Sequence, residues 1–132
     1  MQITKKLSTL ILLCVGVLSF TTSKAQLQTG KKIEINSMSA VYVVSPVKEA
    51  YGQALGNYLV EMKYFDTELE RAVRIVKKGK AYIVQFVVDV AYLKQHPELR
   101  KTFQEKKLEL SKNVFDGSPV IVELVTPELK KA

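Results

Sequence analysis

Apolar and polar residues alternate through the middle of the chain, and this period-two pattern predicts a β-hairpin. Within Arg71–Asp89, β-branched and aromatic residues recur at every second position on both sides of a short turn at Lys77–Lys80. Gly79 in that turn supplies the positive φ that a tight hairpin requires. The second strand is apolar on both of its faces, which is typical of a strand inside a sheet. We therefore predict that this hairpin forms the centre of a small α+β domain.

The segment before the hairpin has the pattern of a strand followed by a helix. Ala40–Val44 is a run of five apolar residues, which predicts a strand. Ser45 and Pro46 then have the residue types of a helix N-cap and first helical position, and an apolar stripe at helical spacing continues to about Met62. Ahead of this strand, Ile33–Ile35 has the alternation of a short edge strand.

Two glycines stand four residues apart in the first predicted helix. Gly52 and Gly56 each cost about 1 kcal/mol of helix stability relative to alanine. A close contact offsets such a cost when something must approach the helix backbone. We predict that the helix packs tightly on the sheet at these positions, with a contact to a helix of a second copy as the alternative.

The segment after the hairpin repeats the order of a helix and a strand. Val90–Gln95 predicts a short helical turn, Pro97 begins a longer helix that ends near Phe115, and Val120–Val125 predicts the last strand. The order of elements is then strand, helix, strand, strand, helix, strand. This order predicts a ferredoxin-like βαββαβ sandwich, a four-stranded antiparallel sheet with both helices on one face.

The first 25 residues have the pattern of a secretory signal peptide. Lysines precede the apolar stretch Leu7–Phe20, which is shorter than the roughly 20 residues of a transmembrane helix. Small residues then predict cleavage before Gln26. We expect an exported protein, in the periplasm or outside the cell, with no stable membrane insertion after cleavage. An uncleaved anchor and a lipoprotein attached through Cys14 are the alternatives.

Cleavage would leave a polar leader, 26–38, an α+β domain, 39–126, and a charged C-terminal tail, 127–132. These segments contain no cysteine, so burial alone must hold the domain together. Loss of the three lysines of the signal peptide lowers the formal net charge from +7 to +4. Acidic residues are interspersed among the remaining basic ones, and the motif of RNA-recognition domains is absent. We therefore expect no nucleic-acid partner.

Residue patterns that carry chemistry are sparse in this sequence. His96 is the only histidine, and without a cysteine in the predicted exported protein it has no partners for a zinc site. Asp116-Gly117-Ser118 is too poor in acids for a calcium loop, and there is no glycine-rich phosphate loop. A triad of Ser111, His96 and Asp89 lacks a nucleophile-elbow motif. We expect no catalytic residues, no metal and no cofactor, with a small secreted hydrolase as an alternative.

A single layer of two helices leaves one face of the predicted sheet uncovered, and we call it the open face. Alternation places aliphatic side chains there, and such a surface is unusual for a free monomer. The leader or the tail folded across it is one explanation and an apolar small ligand is another, but we predict a protein partner or a second copy. The candidate partner residues are Arg74, Val76, Ile83, Gln85, Val87, Ile121, Glu123 and Val125.

Two further hypotheses concern the hairpin tip and the tail. Lys77, Lys78 and Lys80 are candidate contacts for an anionic surface such as lipid head groups, and otherwise form a solvated turn. A protease-inhibitor or pro-segment-like module is an alternative function for the whole domain. In that hypothesis the tail, Thr126–Ala132, would enter the cleft of a protease.

Overall fold

The computed structural model describes residues 30–132, so the predicted signal peptide and its cleavage site lie outside the described residues. Over this range no helix combines the length and the apolar character needed to cross a membrane. The elements are β1 (Lys31–Glu34), β2 (Ser39–Val43), α1 (Glu49–Glu61), β3 (Arg71–Lys78), β4 (Ala81–Val87), α2 (Val90–Gln95), α3 (Glu98–Glu105), α4 (Lys107–Asn113) and β5 (Val120–Val125).

The strands form one mixed sheet in which spatial order follows chain order from β1 to β5. The pairs β1–β2 and β3–β4 are antiparallel, whereas β2–β3 and β4–β5 are parallel. The α+β class is therefore confirmed, but the four-stranded, antiparallel ferredoxin-like layout is wrong. Each helical crossover returns the chain directly beside the strand it left, where the ferredoxin-like layout inserts another strand between them. The order of elements along the chain is compatible with both arrangements.

The central hairpin forms as predicted. Val73 pairs with Phe86 and Lys78 with Ala81, which leaves Gly79 and Lys80 as the turn. Gly79 has a φ of 61°, in the left-handed region that favours glycine. β1 lies inside the predicted leader and begins two residues before Ile33.

One face of the sheet, which we call the covered face, carries the hydrophobic core. Every helix of residues 30–132 has a side chain in this core or packed against it, and together the helices shield that face from water. Six strand residues predicted to point at the helices are at most 7% exposed. They are Val73, Ile75, Val84, Phe86, Val122 and Leu124.

The first predicted long helix differs from the observed one at its start, and the second differs in its interior. The Ser45-Pro46 peptide bond is cis, and α1 begins at Glu49 with Lys48 as N-cap and no side-chain capping bond. Ser45 is therefore not the N-cap, because Val47 N–H donates to the carbonyl of Val44 and the chain turns before the helix begins. The second helix is divided at Lys106 into α3 and α4.

The two glycines of α1 sit where strand side chains press on the helix. A Cβ atom at Gly52 would lie 2.5 Å from Ile33 Cδ1 and 2.7 Å from Val43 Cγ1. At Gly56 it would overlap Cδ1 of Ile35, the residue that follows β1. The predicted tight packing of this helix on the sheet is therefore confirmed, and it fixes α1 over β1 and β2.

The C-terminal tail returns along the edge of β5. Lys131 forms an antiparallel bridge with Val125, and Ala132 N–H donates to the carbonyl of Leu124 over 2.9 Å. Arg100 of α3 donates from Nη1 to the carbonyl of Ala132 over 3.1 Å. The tail therefore covers a sheet edge that would otherwise be open to pairing with another chain.

Candidate functional site

A row of polar side chains crosses the open face through three neighbouring strands. Arg74 of β3 is paired in register with Gln85 of β4, and Gln85 with Glu123 of β5. Arg74 Nη1 donates to Gln85 Oε1 over 2.7 Å, and Gln85 Nε2 donates to Glu123 Oε1 over 3.0 Å. We call this row the polar ladder. It has a positive charge at its β3 end and a negative charge at its β5 end, about two strand spacings apart.

Aliphatic side chains flank the polar ladder along the strands. Val76, Ile83 and Ile121 are register neighbours and form a row on one side, with Ile121 44% exposed. Val87 and Val125 are neighbours on the other side, and Val125 is only 3% exposed. All eight candidate partner residues therefore lie on the face opposite the core, although Val125 offers little surface.

Tyr42 also belongs to the open face, and the sequence analysis did not identify it. Its neighbours Val41 and Val43 point into the core, so Tyr42 points away from it, and its register partner on β3 is Arg74. Tyr42 is 5% exposed. The parallel pairing of β2 with β3 creates this contact, and the expected ferredoxin-like layout does not contain it.

Burial affects the charge at one end of the polar ladder. Desolvation lowers the pKa of the Arg74 guanidinium below its usual value. A guanidinium remains protonated at neutral pH, so the effect is a cost in solvation. The bond to Gln85 offsets part of this cost.

The lysines at the hairpin tip are exposed. Lys77, Lys78 and Lys80 lie at or beside the turn, and Lys77 Nζ is 5.2 Å from the centroid of the Tyr82 ring. This contact is a cation–π interaction on the covered side of β3. The hypothesis of an anionic surface contact stays a prediction for these three residues.

The residues considered for chemistry each have local partners. Asp89 Oδ1 accepts from Ala91 N–H and caps α2, while Ser111 Oγ donates to the carbonyl of Ser118. His96 Nδ1 is 3.6 Å from Glu98 Oε2. Among residues 30–132, no group of three or more histidine, cysteine, aspartate or glutamate side chains is placed to hold a metal ion.

Comparison with known proteins finds a family. No curated protein and no solved structure matches the chain. A family model, AF_1994_N, described as a family N-terminal domain, matches residues 32–132, which is nearly the whole of the sheet and helices described above. On this match, the chain belongs to the AF_1994_N family.

Proposed function

We propose that this protein is an exported, non-enzymatic binding domain whose open face packs against the open face of a second copy. The polar ladder is the observation that carries this proposal. Its positive and negative ends lie at equal distances on either side of Gln85, because Arg74 and Glu123 belong to the two strands that flank β4. A surface with this arrangement is complementary to itself.

The symmetry can be stated concretely. A two-fold axis that runs along β4 above the open face exchanges β3 with β5 and keeps each residue's position along the strand. Arg74 of one copy then faces Glu123 of the other, twice per dimer, and the row of Val76, Ile83 and Ile121 meets the same row. Such an isologous contact is the commonest form of homodimer. The two sheets would pack about 10 Å apart with strands aligned within about 30°.

The size of the open face sets the expected strength of the contact. An axis along β4 brings only β3, β4 and β5 of each copy face to face, and three strands about 4.8 Å apart and about six residues long give a footprint of roughly 300 Å² per copy. This is below the roughly 800 Å² per partner of a standard interface. We therefore expect a reversible dimer with a dissociation constant in the micromolar range.

Charge reversal at the polar ladder tests this arrangement. Sedimentation velocity from about 1 µM to 1 mM, on protein produced from the full-length sequence, should show a monomer–dimer equilibrium. Arg74→Glu or Glu123→Arg alone should shift it toward monomer, since each places like charges opposite each other. An equimolar mixture of the two variants should dimerise again, because each copy then faces its complement.

Lys80→Glu is the matched control, because it makes the same charge change in the exposed turn. It should leave the equilibrium unchanged. A monomer at every concentration would contradict the proposal. Failure of the equimolar mixture to dimerise would also contradict it. So would capture of a different protein by the same face in place of a second copy.

Export is tested separately on the same preparation. Mass spectrometry of the protein secreted by a bacterial host should give a chain that begins at Gln26. An intact N-terminus retained with the membrane fraction would contradict the export hypothesis and favour the uncleaved anchor.

A further inference from the structure

A cleft opens on the helix side of the sheet, between the end of α1 and the helices α3 and α4. Its volume is about 360 Å³, within the range of small-molecule sites. Tyr58, Leu59, Tyr64, Phe86, Phe103 and Leu110 form most of its apolar wall. The cleft is separated from the open face by the sheet, so it is independent of the proposed dimer.

Aromatic rings form one wall of this cleft. The Tyr64 ring is edge-on to Phe86, with centroids 5.5 Å apart, and edge-on to Phe103 at 5.9 Å. Phe86 and Phe103 are 4.9 Å apart. Phe86 is 2% exposed and belongs to the core, so its position is fixed by packing. The wall is rigid, apolar and preformed.

The charged residues that line the cleft are all cations: Lys63, Arg71 and Lys106. Arg71 lies with its guanidinium carbon 4.6 Å from the centroid of the Tyr64 ring, so its position is held by the aromatic wall. Its Nε atom is buried and has no hydrogen-bond partner among residues 30–132. Because the Nε atom is out of reach of solvent, a ligand in the cleft would meet the terminal Nη groups of Arg71, which lines the cavity.

Two carboxylates lie near these cations, and each has other partners. Asp66 Oδ1 accepts from the backbone N–H groups of Glu68 and Leu69, which lower its pKa more than Arg71 does. Glu109 accepts a hydrogen bond from the Tyr58 hydroxyl and lies 3.9 Å from Lys106 Nζ, at the outer limit of an ion pair. The cleft thus keeps an excess of positive charge.

We propose that this cleft binds a medium-chain fatty-acid carboxylate. The alkyl chain packs on the aromatic wall and the carboxylate accepts hydrogen bonds from Arg71, whose planar fork matches two carboxylate oxygens. Lys63 and Lys106 add attraction for the anion. A neutral molecule of the same shape would leave the excess positive charge uncompensated, so charge and apolar shape are both needed.

Isothermal titration with decanoate and with decan-1-ol separates these two requirements. Decanoate should bind the full protein saturably at one site per chain, and decan-1-ol should bind at least tenfold more weakly. Arg71→Gln should weaken decanoate binding about tenfold or more and leave decan-1-ol binding unchanged. Lys107→Gln is the matched control, since Lys107 is next to Lys106 in sequence and does not line the cleft.

Leu99→Trp fills the cleft without altering its charge. It should abolish binding of both ligands, while circular dichroism checks that the variant is folded. Equal affinity for the acid and the alcohol, or no loss in Arg71→Gln, would overturn the carboxylate site. Binding that survives Leu99→Trp would place the ligand elsewhere. None of these outcomes depends on the monomer–dimer equilibrium.

Discussion

The two faces of the sheet are built from the same residue types but differ in what they contact. On the covered face, Val73, Ile75 and Val84 are fully buried beneath the helices. On the open face, Val76, Ile83 and Ile121 are just as apolar, yet Ile121 remains 44% exposed. The covered face is explained by folding, because its burial stabilises the domain. The open face is not explained in this way, and its aliphatic residues are those that the proposed contact with a second copy would bury.

Polar residues sharpen this difference. On the covered face of β3, β4 and β5, the most polar buried residue is Tyr82. On the open face, the same three strands carry the polar ladder of Arg74, Gln85 and Glu123. A charged row within an aliphatic surface adds little to the stability of a monomer. In the proposed dimer it would fix the orientation and register of the second copy. In the proposal above, the covered face serves stability and the open face serves recognition.

The largest effect that separates the two faces is expected from truncation of isoleucine. Ile75→Ala on the covered face should lower the free energy of unfolding by about 2–5 kcal/mol, because it removes a fully buried side chain and leaves a cavity. Ile121→Ala on the open face should cost less than about 1 kcal/mol, since nearly half of that side chain is already in water. Urea denaturation of dilute, monomeric protein measures both. Equal losses would show that the faces do not differ in this way.

A smaller effect is expected where α1 meets the covered face. Gly52→Ala should lower the free energy of unfolding by about 1–3 kcal/mol, because the new Cβ would overlap Ile33 and Val43. The intrinsic preference of a helix for alanine has the opposite sign and is about 1 kcal/mol. Gln53→Ala, at the exposed neighbouring position, should change stability little. Stabilisation by Gly52→Ala would mean that α1 does not press on the sheet as closely as the structure places it.

Much of this arrangement could be predicted from alternation alone. Because side chains alternate along β3, β4 and β5, the sequence places Arg74, Gln85 and Glu123 on one face of the sheet. Each strand also begins and ends within a residue or two of its predicted range. Alternation is a local property, so it survives an error in the order of strands. This is why the residues of the polar ladder were found although the ferredoxin-like layout was wrong.

What depends on contacts between distant segments could not be predicted. The place of Tyr42 beside Arg74 requires knowing that β2 and β3 are parallel neighbours. The cleft combines Lys63 from the turn after α1, Arg71 from β3 and Lys106 from the junction of α3 and α4, and no periodic pattern connects them. The start of α1 was missed because Ser45 and Pro46 have the residue types of a helix start but belong to a turn that precedes it.

The smallest expected effect concerns the helix layer of the covered face and appears at alkaline pH. Tyr58 of α1 donates a hydrogen bond to Glu109 of α4, and burial together with this bond raises the pKa of Tyr58 to about 12. The ordinary value in an unfolded chain is about 10. A raised pKa in the folded state means that Tyr58 contributes its full stabilisation below pH 10 and loses it as the pH rises from 10 to 12.

Tyr58→Phe isolates this contribution. The difference in free energy of unfolding between wild type and Tyr58→Phe should be constant below pH 10 and should shrink between pH 10 and 12, because the Tyr58 proton is the one that only the wild type can lose. Tyr92→Phe, at an exposed tyrosine, should keep the alkaline loss of the wild type. If the difference between wild type and Tyr58→Phe did not change with pH, the bond between α1 and α4 would not contribute to stability. The contact between α1 and α4 would then be held by interactions other than this hydrogen bond.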